Sequence, residues 1–220
     1  MQCRSLHLEP SGSRAVLSAV LREPLFSMTD IHSSKAALRS ALRQQRRSLS
    51  PAAQHTAAQA VVHSVLTLPA WTEAQKIALY LARDGEIDTA ALASIARDAA
   101  KQLFLPIICG ENKLNFARWD TDDLPVANRF NIPEPPSGAE QCPVTELDII
   151  FLPVVGWDTH GGRLGMGGGY YDRTLAGISG PVLVGLAHDS QQVAQIPRES
   201  WDRRLDYIAT DSALHCCRSN

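Results

Sequence analysis

The chain has 220 residues, 45% of them hydrophobic and 20% charged, with 21 Lys and Arg against 23 Asp and Glu. At roughly 150 residues per domain this is one sizeable domain with appendages, long enough to bury a core without disulfide or metal staples. A net charge of −2 excludes a strongly basic nucleic-acid surface overall, leaving only local patches, and no stretch approaches the roughly 20 apolar residues that span a bilayer.

Residues 1–30 differ from the rest: Arg4, Arg14 and Arg22 sit among serines and two prolines, with an apolar stretch from Ala15 to Leu21. No small-residue cleavage site follows that stretch convincingly, so the segment reads as a disordered N-terminal extension before a single α/β domain over 31–212. Ser33 or Ser34 is positioned to cap a helix running to about Leu49, and Ser50-Pro51 opens a second through about Leu66. Lys76–Leu81 reads as a short buried strand, Asp88 or Thr89 as the cap of an alanine-rich helix to about Lys101, and Leu103–Ile108 as the next strand. Leu114–Trp119 is a further strand, in a hairpin with its predecessor. Residues 121–146 hold five prolines and read as a long connection. Leu147–Val155 is a fully buried strand by its continuous apolar content. A glycine-rich turn, a helix from Tyr170 to about Gly177, and strands at Val182–Ala187 and Leu205–Ala209 complete the domain. Residues 213–220 read as a C-terminal tail. Strands alternating with helices predict a largely parallel sheet covered on both faces. The five cysteines form no C-x-x-C pair, which suits a reducing compartment, the cytoplasm.

The densest signal follows the buried strand. Six glycines lie between 161 and 169, at the strand's carboxyl end and before a helix, the edge where open α/β sheets bind ligands. Glycines let the backbone curl close to a ligand and aim N–H groups at phosphate oxygens, while Arg163 and Arg173 add fixed charge. The common phosphate loops do not fit. G-x-G-x-x-G fails at Tyr170, and Gly168 stands where the Walker lysine belongs.

The string Arg163-Leu164-Gly165-Met166-Gly167-Gly168-Gly169-Tyr170-Tyr171-Asp172 closely resembles the signature of the 5-formyltetrahydrofolate cyclo-ligase family. Lys35-x-x-x-Arg39, Leu81 with Glu86-Ile87-Asp88-Thr89, Glu134-Pro135, Gly185-Leu186-Ala187 with Gln191, and Pro197 through Asp202 and Asp206 to Thr210 resemble its other motifs in the same order. The resemblance implies a three-layer α/β/α sandwich similar to sugar-phosphate isomerase and CoA-transferase domains. It also implies an ATP- and Mg²⁺-dependent conversion of 5-formyltetrahydrofolate to 5,10-methenyltetrahydrofolate, with release of ADP and phosphate.

By that resemblance Lys35, Arg39 and Arg163–Tyr171 contact ATP, with Leu164, Gly165, Met166, Gly167, Gly168, Gly169 and Tyr170 forming the loop between. Leu81, Glu86 and Met166–Tyr170 line the folate, and Asp172 and Asp202 hold magnesium. Arg163, Lys35 and Glu86 are the catalytic candidates. Tyr170 and Tyr171 either stack on a ring or staple the helix to the core. Lys35, Arg39, Arg43 and Arg47 recur every fourth position with no acid between Ile31 and Thr72. Arg43, Arg46 and Arg47 read as a solvated face, or alternatively as an attractor of polyglutamated folate. His188 reads as structural. The partners implied are small molecules, reduced folate and ATP, with no nucleic acid or membrane, on a monomer or weak homodimer.

Overall fold

The computed structural model describes residues 28–128 and 132–217. Helix α1 spans Met28–Arg47, five residues ahead of the predicted serine cap, since nothing between Met28 and Ser33 is Gly or Pro to stop it. The last three residues of the predicted extension are therefore helical, and residues 1–27 lie outside the described residues. Ser50, in extended backbone, accepts from the Ala53 N–H at 3.2 Å, and α2 (Pro51–Leu66) follows with Pro51 in the first turn, where its missing N–H costs nothing. Helix α3 (Ala90–Asp98) is shorter than predicted, ending before Ala100 takes φ +55°. Asp88 Oδ1 accepts the Ala90 N–H at 2.9 Å, while Thr89 turns inward to donate to the Tyr80 carbonyl at 2.6 Å.

Eight strands make the main sheet. In chain order they are β1 (Lys76–Ala78), β2 (Gln102–Cys109), β3 (Lys113–Arg118), β6 (Gln141–Cys142), β7 (Ile149–Pro153), β10 (Val182–Leu186), β11 (Tyr207–Ala209) and β12 (Leu214–Cys216). The pairs β4 (Val126–Ala127) with β5 (Pro133–Glu134), and β8 (Gly156–Trp157) with β9 (Arg163–Leu164), form two small hairpins. The sheet order is β12-β11-β10-β7-β1-β2-β3-β6. The five central strands run parallel, with Ile77 opposite both Leu103 and Ile149, and Val184 opposite Phe151 and Tyr207. Strands β3, β6 and β12 are antiparallel additions at the edges, and β2–β3 is the predicted hairpin. The described part of the predicted tail, residues 213–217, is thus no mere tail: β12 extends the sheet, and Cys217 is buried, while 218–220 lie outside the described residues. Nothing in the apolar pattern of Leu214-His215-Cys216 announces an edge strand, because its ladder partner supplies the order.

Alternation along the strands separates two cores. Ile77, Leu103, Ile149, Phe151 and Val184 pack beneath α2 and α3. Ala78, Phe104, Ile150, Leu152 and Ile208 face the other way, with Leu175 of the six-residue helix α4 (Tyr170–Leu175) and buried Trp157. This is the α/β/α layering predicted. A third, smaller cluster seats Leu42 of α1 on Val155, Leu164 and Ile196, just past the carboxyl end of β7. That contact lays α1 across the ligand-binding edge.

Candidate active site

The Lys and Arg side chains of α1 all meet protein acceptors, although Arg47 remains largely exposed. Lys35 Nζ lies 2.6 Å from Asp202 Oδ2 and 3.7 Å from Glu199 Oε2. Arg39 Nε donates to the Gly165 carbonyl at 2.8 Å. Arg43, Arg46 and Arg47 all converge on Asp84, and Arg46 is completely buried, its Nη1 reaching the Val154 carbonyl at 3.1 Å. Sequence reasoning missed Asp84 and Glu199. The surplus of cations on α1 without a local acid was the available signal that distant carboxylates must meet them.

Burial opposes ionisation of Asp84, but hydrogen bonds from Arg43 and Arg47 and the charge of Arg46 outweigh it and hold the carboxyl at about 2. A folded-state value below the unfolded 3.8 gives stability that is present above pH 4 and lost as pH falls through 2. We expect Asp84→Asn to cost about 2 kcal/mol at pH 5. Urea unfolding of both proteins from pH 5 downward should show the gap closing, and a gap independent of pH would contradict this account.

The glycine loop leaves the β8–β9 hairpin, which a buried carboxylate locks in place. Asp158 accepts the N–H groups of His160 and Gly162 at Oδ1 (2.9 and 2.8 Å) and of Ile196 at Oδ2 (2.8 Å). Beyond Leu164 the loop is curled by Gly167 at φ +99° and by Gly169 at φ +66°, the latter preceding α4. Carbonyls of the loop point back into the protein: Gly165 takes Arg39, and Gly168 takes Arg173 Nη1 at 2.6 Å. Among the described residues no acceptor takes the N–H of Gly167, Gly168 or Gly169. A turn whose carbonyls are occupied by guanidinium groups and whose N–H groups are open is suited to an anion.

Arg163, with its side chain 6% exposed, places Nη2 3.1 Å from both oxygens of Asp172 and its guanidinium carbon 5.5 Å from the Tyr171 ring centre. It is therefore embedded, not a free loop charge. Asp172 also accepts weakly from the Arg203 N–H at 3.4 Å, and Asp202 accepts the Glu199 N–H at 3.0 Å. The 199–203 turn thus brings the two predicted metal carboxylates to the same rim of the loop. Both face a cation, Asp172 with Arg163 and Asp202 with Lys35. Among the described residues no three His, Cys, Asp or Glu side chains gather as a metal-holding group. Two hard carboxylates do fit Mg²⁺, which keeps most of its waters and shares phosphate oxygens.

Glu86 stands in the turn after β1, half-buried, with Oε2 accepting the Arg83 N–H at 3.0 Å. Burial raises its pKa, against the backbone hydrogen bond and the charge of Arg46. Tyr80 and Tyr171 face it electrostatically, and burial raises the pKa of both phenols. Tyr171 packs on the core beneath α4, the stapling role, while Tyr170 borders Gly168 with its ring beside the loop. Leu81 is half-buried against the main core. Met166 is exposed at the loop tip, as is Trp201 beside Asp202. His188 is buried with Nε2 3.1 Å from the Gly85 carbonyl, and desolvation lowers its pKa, a holding role rather than a catalytic one.

The chain is 41% identical over 170 residues to the 5-formyltetrahydrofolate cyclo-ligase of Haemophilus influenzae, spanning 75% of this chain and 91% of that one. It is 36% identical over 178 residues to the enzyme of the same name from Escherichia coli K12, spanning 79% and 98%. The solution structure of Aquifex aeolicus 5,10-methenyltetrahydrofolate synthetase superposes with a TM-score of 0.74 at 30% identity, over 84% of this chain and 94% of that one. The family model for 5-formyltetrahydrofolate cyclo-ligases matches residues 31–211, and with these relatives beside it the chain belongs to that family.

Proposed function

We infer that the chain closes 5-formyltetrahydrofolate to 5,10-methenyltetrahydrofolate at the expense of ATP. The observation that carries the reading is the open N–H turn at 167–169, bracketed by Arg39, Arg163 and Lys35 at the carboxyl edge of the sheet. An amide oxygen is a poor leaving group until it is phosphorylated. The formyl oxygen therefore takes the γ-phosphoryl group, N10 attacks the activated carbon and loses its proton, and phosphate departs with the former formyl oxygen.

For phosphoryl transfer the protein's part is positioning and charge. The loop from Leu164 to Tyr171 holds the triphosphate through its N–H groups, with Lys35, Arg39 and Arg163 as its cations. Lys35 and Arg163 would trade their carboxylate partners for phosphate oxygens, and the released Asp202 and Asp172 would hold Mg²⁺. That ion supplies further neutralisation of phosphate charge. Glu86, a half-buried carboxylate whose pKa burial raises, serves the N10 proton. Leu81 and the loop tip from Met166 to Tyr170 form the folate wall. Among the described residues no helix is long and apolar enough to cross a membrane, and the four described cysteines are free. The cytoplasm is the proposed compartment, and a monomer or weak dimer the proposed state.

The test is direct, because the methenyl product absorbs in the near ultraviolet. Purified protein with 5-formyltetrahydrofolate, ATP and Mg²⁺ should give an absorbance rise that stops when ATP is left out. No ATP-dependent rise would end the reading.

A further inference from the structure

We propose that Asp84 is a positioning residue for the folate side of the reaction: gripped by three arginines of α1, it sets the tight turn that presents Glu86. The proposal rests on the reading of Glu86 as the folate carboxylate.

The turn is short and strained. Glu86 N–H donates to the Arg83 carbonyl at 3.0 Å, and the Arg83 N–H returns to the Glu86 side chain at 3.0 Å. Between them Asp84 and Gly85 both take left-handed backbone, at φ +56° and +76°. Asp tolerates that region better than most residues but does not favour it, so the conformation persists where surrounding contacts over-determine it. Those contacts are present. Arg43 Nε and Arg46 Nη2 reach one carboxylate oxygen at 2.8 and 2.9 Å, and Arg47 Nε takes the other. Arg46 Nε also holds the Asp84 carbonyl at 2.9 Å, and His188 Nε2 holds the next one, at Gly85.

The anchor is more than an ion pair that fixes a loop. Arg46 is fully buried and spends its remaining Nη1 on the Val154 carbonyl, one residue past β7, where the chain leads into the hairpin of the glycine loop. Helix α1 also carries Lys35 and Arg39. One rigid helix thus holds the phosphate cations on one stretch and the turn of Glu86 on another. Relaxing Asp84 would free Glu86 while leaving the Arg39–Gly165 and Lys35–Asp202 contacts in place.

Asp84→Asn keeps the shape and removes the charge. In the full chain it should lower kcat/KM for 5-formyltetrahydrofolate by about tenfold to a hundredfold, as misplacing a reacting group does, with KM for ATP within about twofold. A double-mutant cycle separates positioning from bulk stability: in a Glu86→Gln background Asp84→Asn should add nothing. Losses that simply add, or a KM for ATP that rises in step with that for folate, would overturn the proposal. Should Asp84→Asn fail to fold, Arg43→Gln, which leaves the buried Arg46 contacts intact, should still raise the folate KM by about threefold with melting lowered by no more than a few degrees. An unchanged folate KM there also overturns it. A silent Glu86→Gln would instead remove Glu86 from the site, and absence of turnover in the unmodified protein would remove the function itself.

Discussion

Replacing Arg163 by Gln should lower kcat by about 10³-fold, close to 4 kcal/mol of transition-state stabilisation. Three features make this residue costlier than the other loop cations. Its side chain is nearly excluded from water, so its charge acts in a low-dielectric setting. The Tyr171 ring stays against the guanidinium while it exchanges Asp172 for phosphate oxygens, so little reorganisation precedes reaction. It also begins the run 163–172, where the β8–β9 hairpin fixes its backbone. Glutamine keeps hydrogen-bonding capacity without charge and leaves Asp172, which is partly solvated, to find water. Melting should therefore fall by only a few degrees. Arg163→Lys should recover part of the rate, because charge returns without the planar fork. The near-ultraviolet product assay and thermal melting together decide it. A loss below tenfold would place the phosphates elsewhere, and collapse of the fold would make Arg163 a structural residue.

The contrast between Arg163 and Asp84 shows what the sequence made legible and what it did not. The glycine loop is contiguous: strand, turn, charges and helix occupy one continuous run, so local chemistry exposes them together. Ser50-Pro51 is legible for the same reason, its cap lying within three residues. Asp84 is different. Its three partners lie 37 to 41 residues away, and only the packing of α1 over the end of β7 brings them together. A basic helix face reads as solvated whenever its acids are remote in the chain. Asp158 escaped attention likewise, because a carboxylate that accepts backbone N–H groups looks from sequence like any loop aspartate. Helix α1 also began earlier, and α3 ended sooner, than predicted. Helix α1 runs on where no Gly or Pro stops it, and α3 ends where the backbone turns to positive φ at Ala100, a conformation that no residue type announces there.

Gly167→Ala should reduce kcat/KM for ATP by about a hundredfold while the fold survives. The backbone there sits at φ +99°, beyond even the left-handed region that Asn or Asp visits, and holding an L side chain in it costs roughly 1–3 kcal/mol. Space adds little to that, since an added methyl carbon would stand 3.4 Å from the Arg39 guanidinium carbon, about an ordinary contact. The residue is exposed, so the chain escapes the strain by re-curling the loop and not by unfolding. Re-curling turns the N–H groups of 167–169 away from a common point, and the anion site loses donors that no side chain replaces. Gly110→Ala is the matched control: nothing lies within 4 Å of the added methyl, and its rate and melting should be unchanged. If Gly167→Ala binds and turns over ATP as the parent does, the open N–H turn is not where the triphosphate rests, and the electrostatic account of Arg39, Arg163 and Lys35 fails with it.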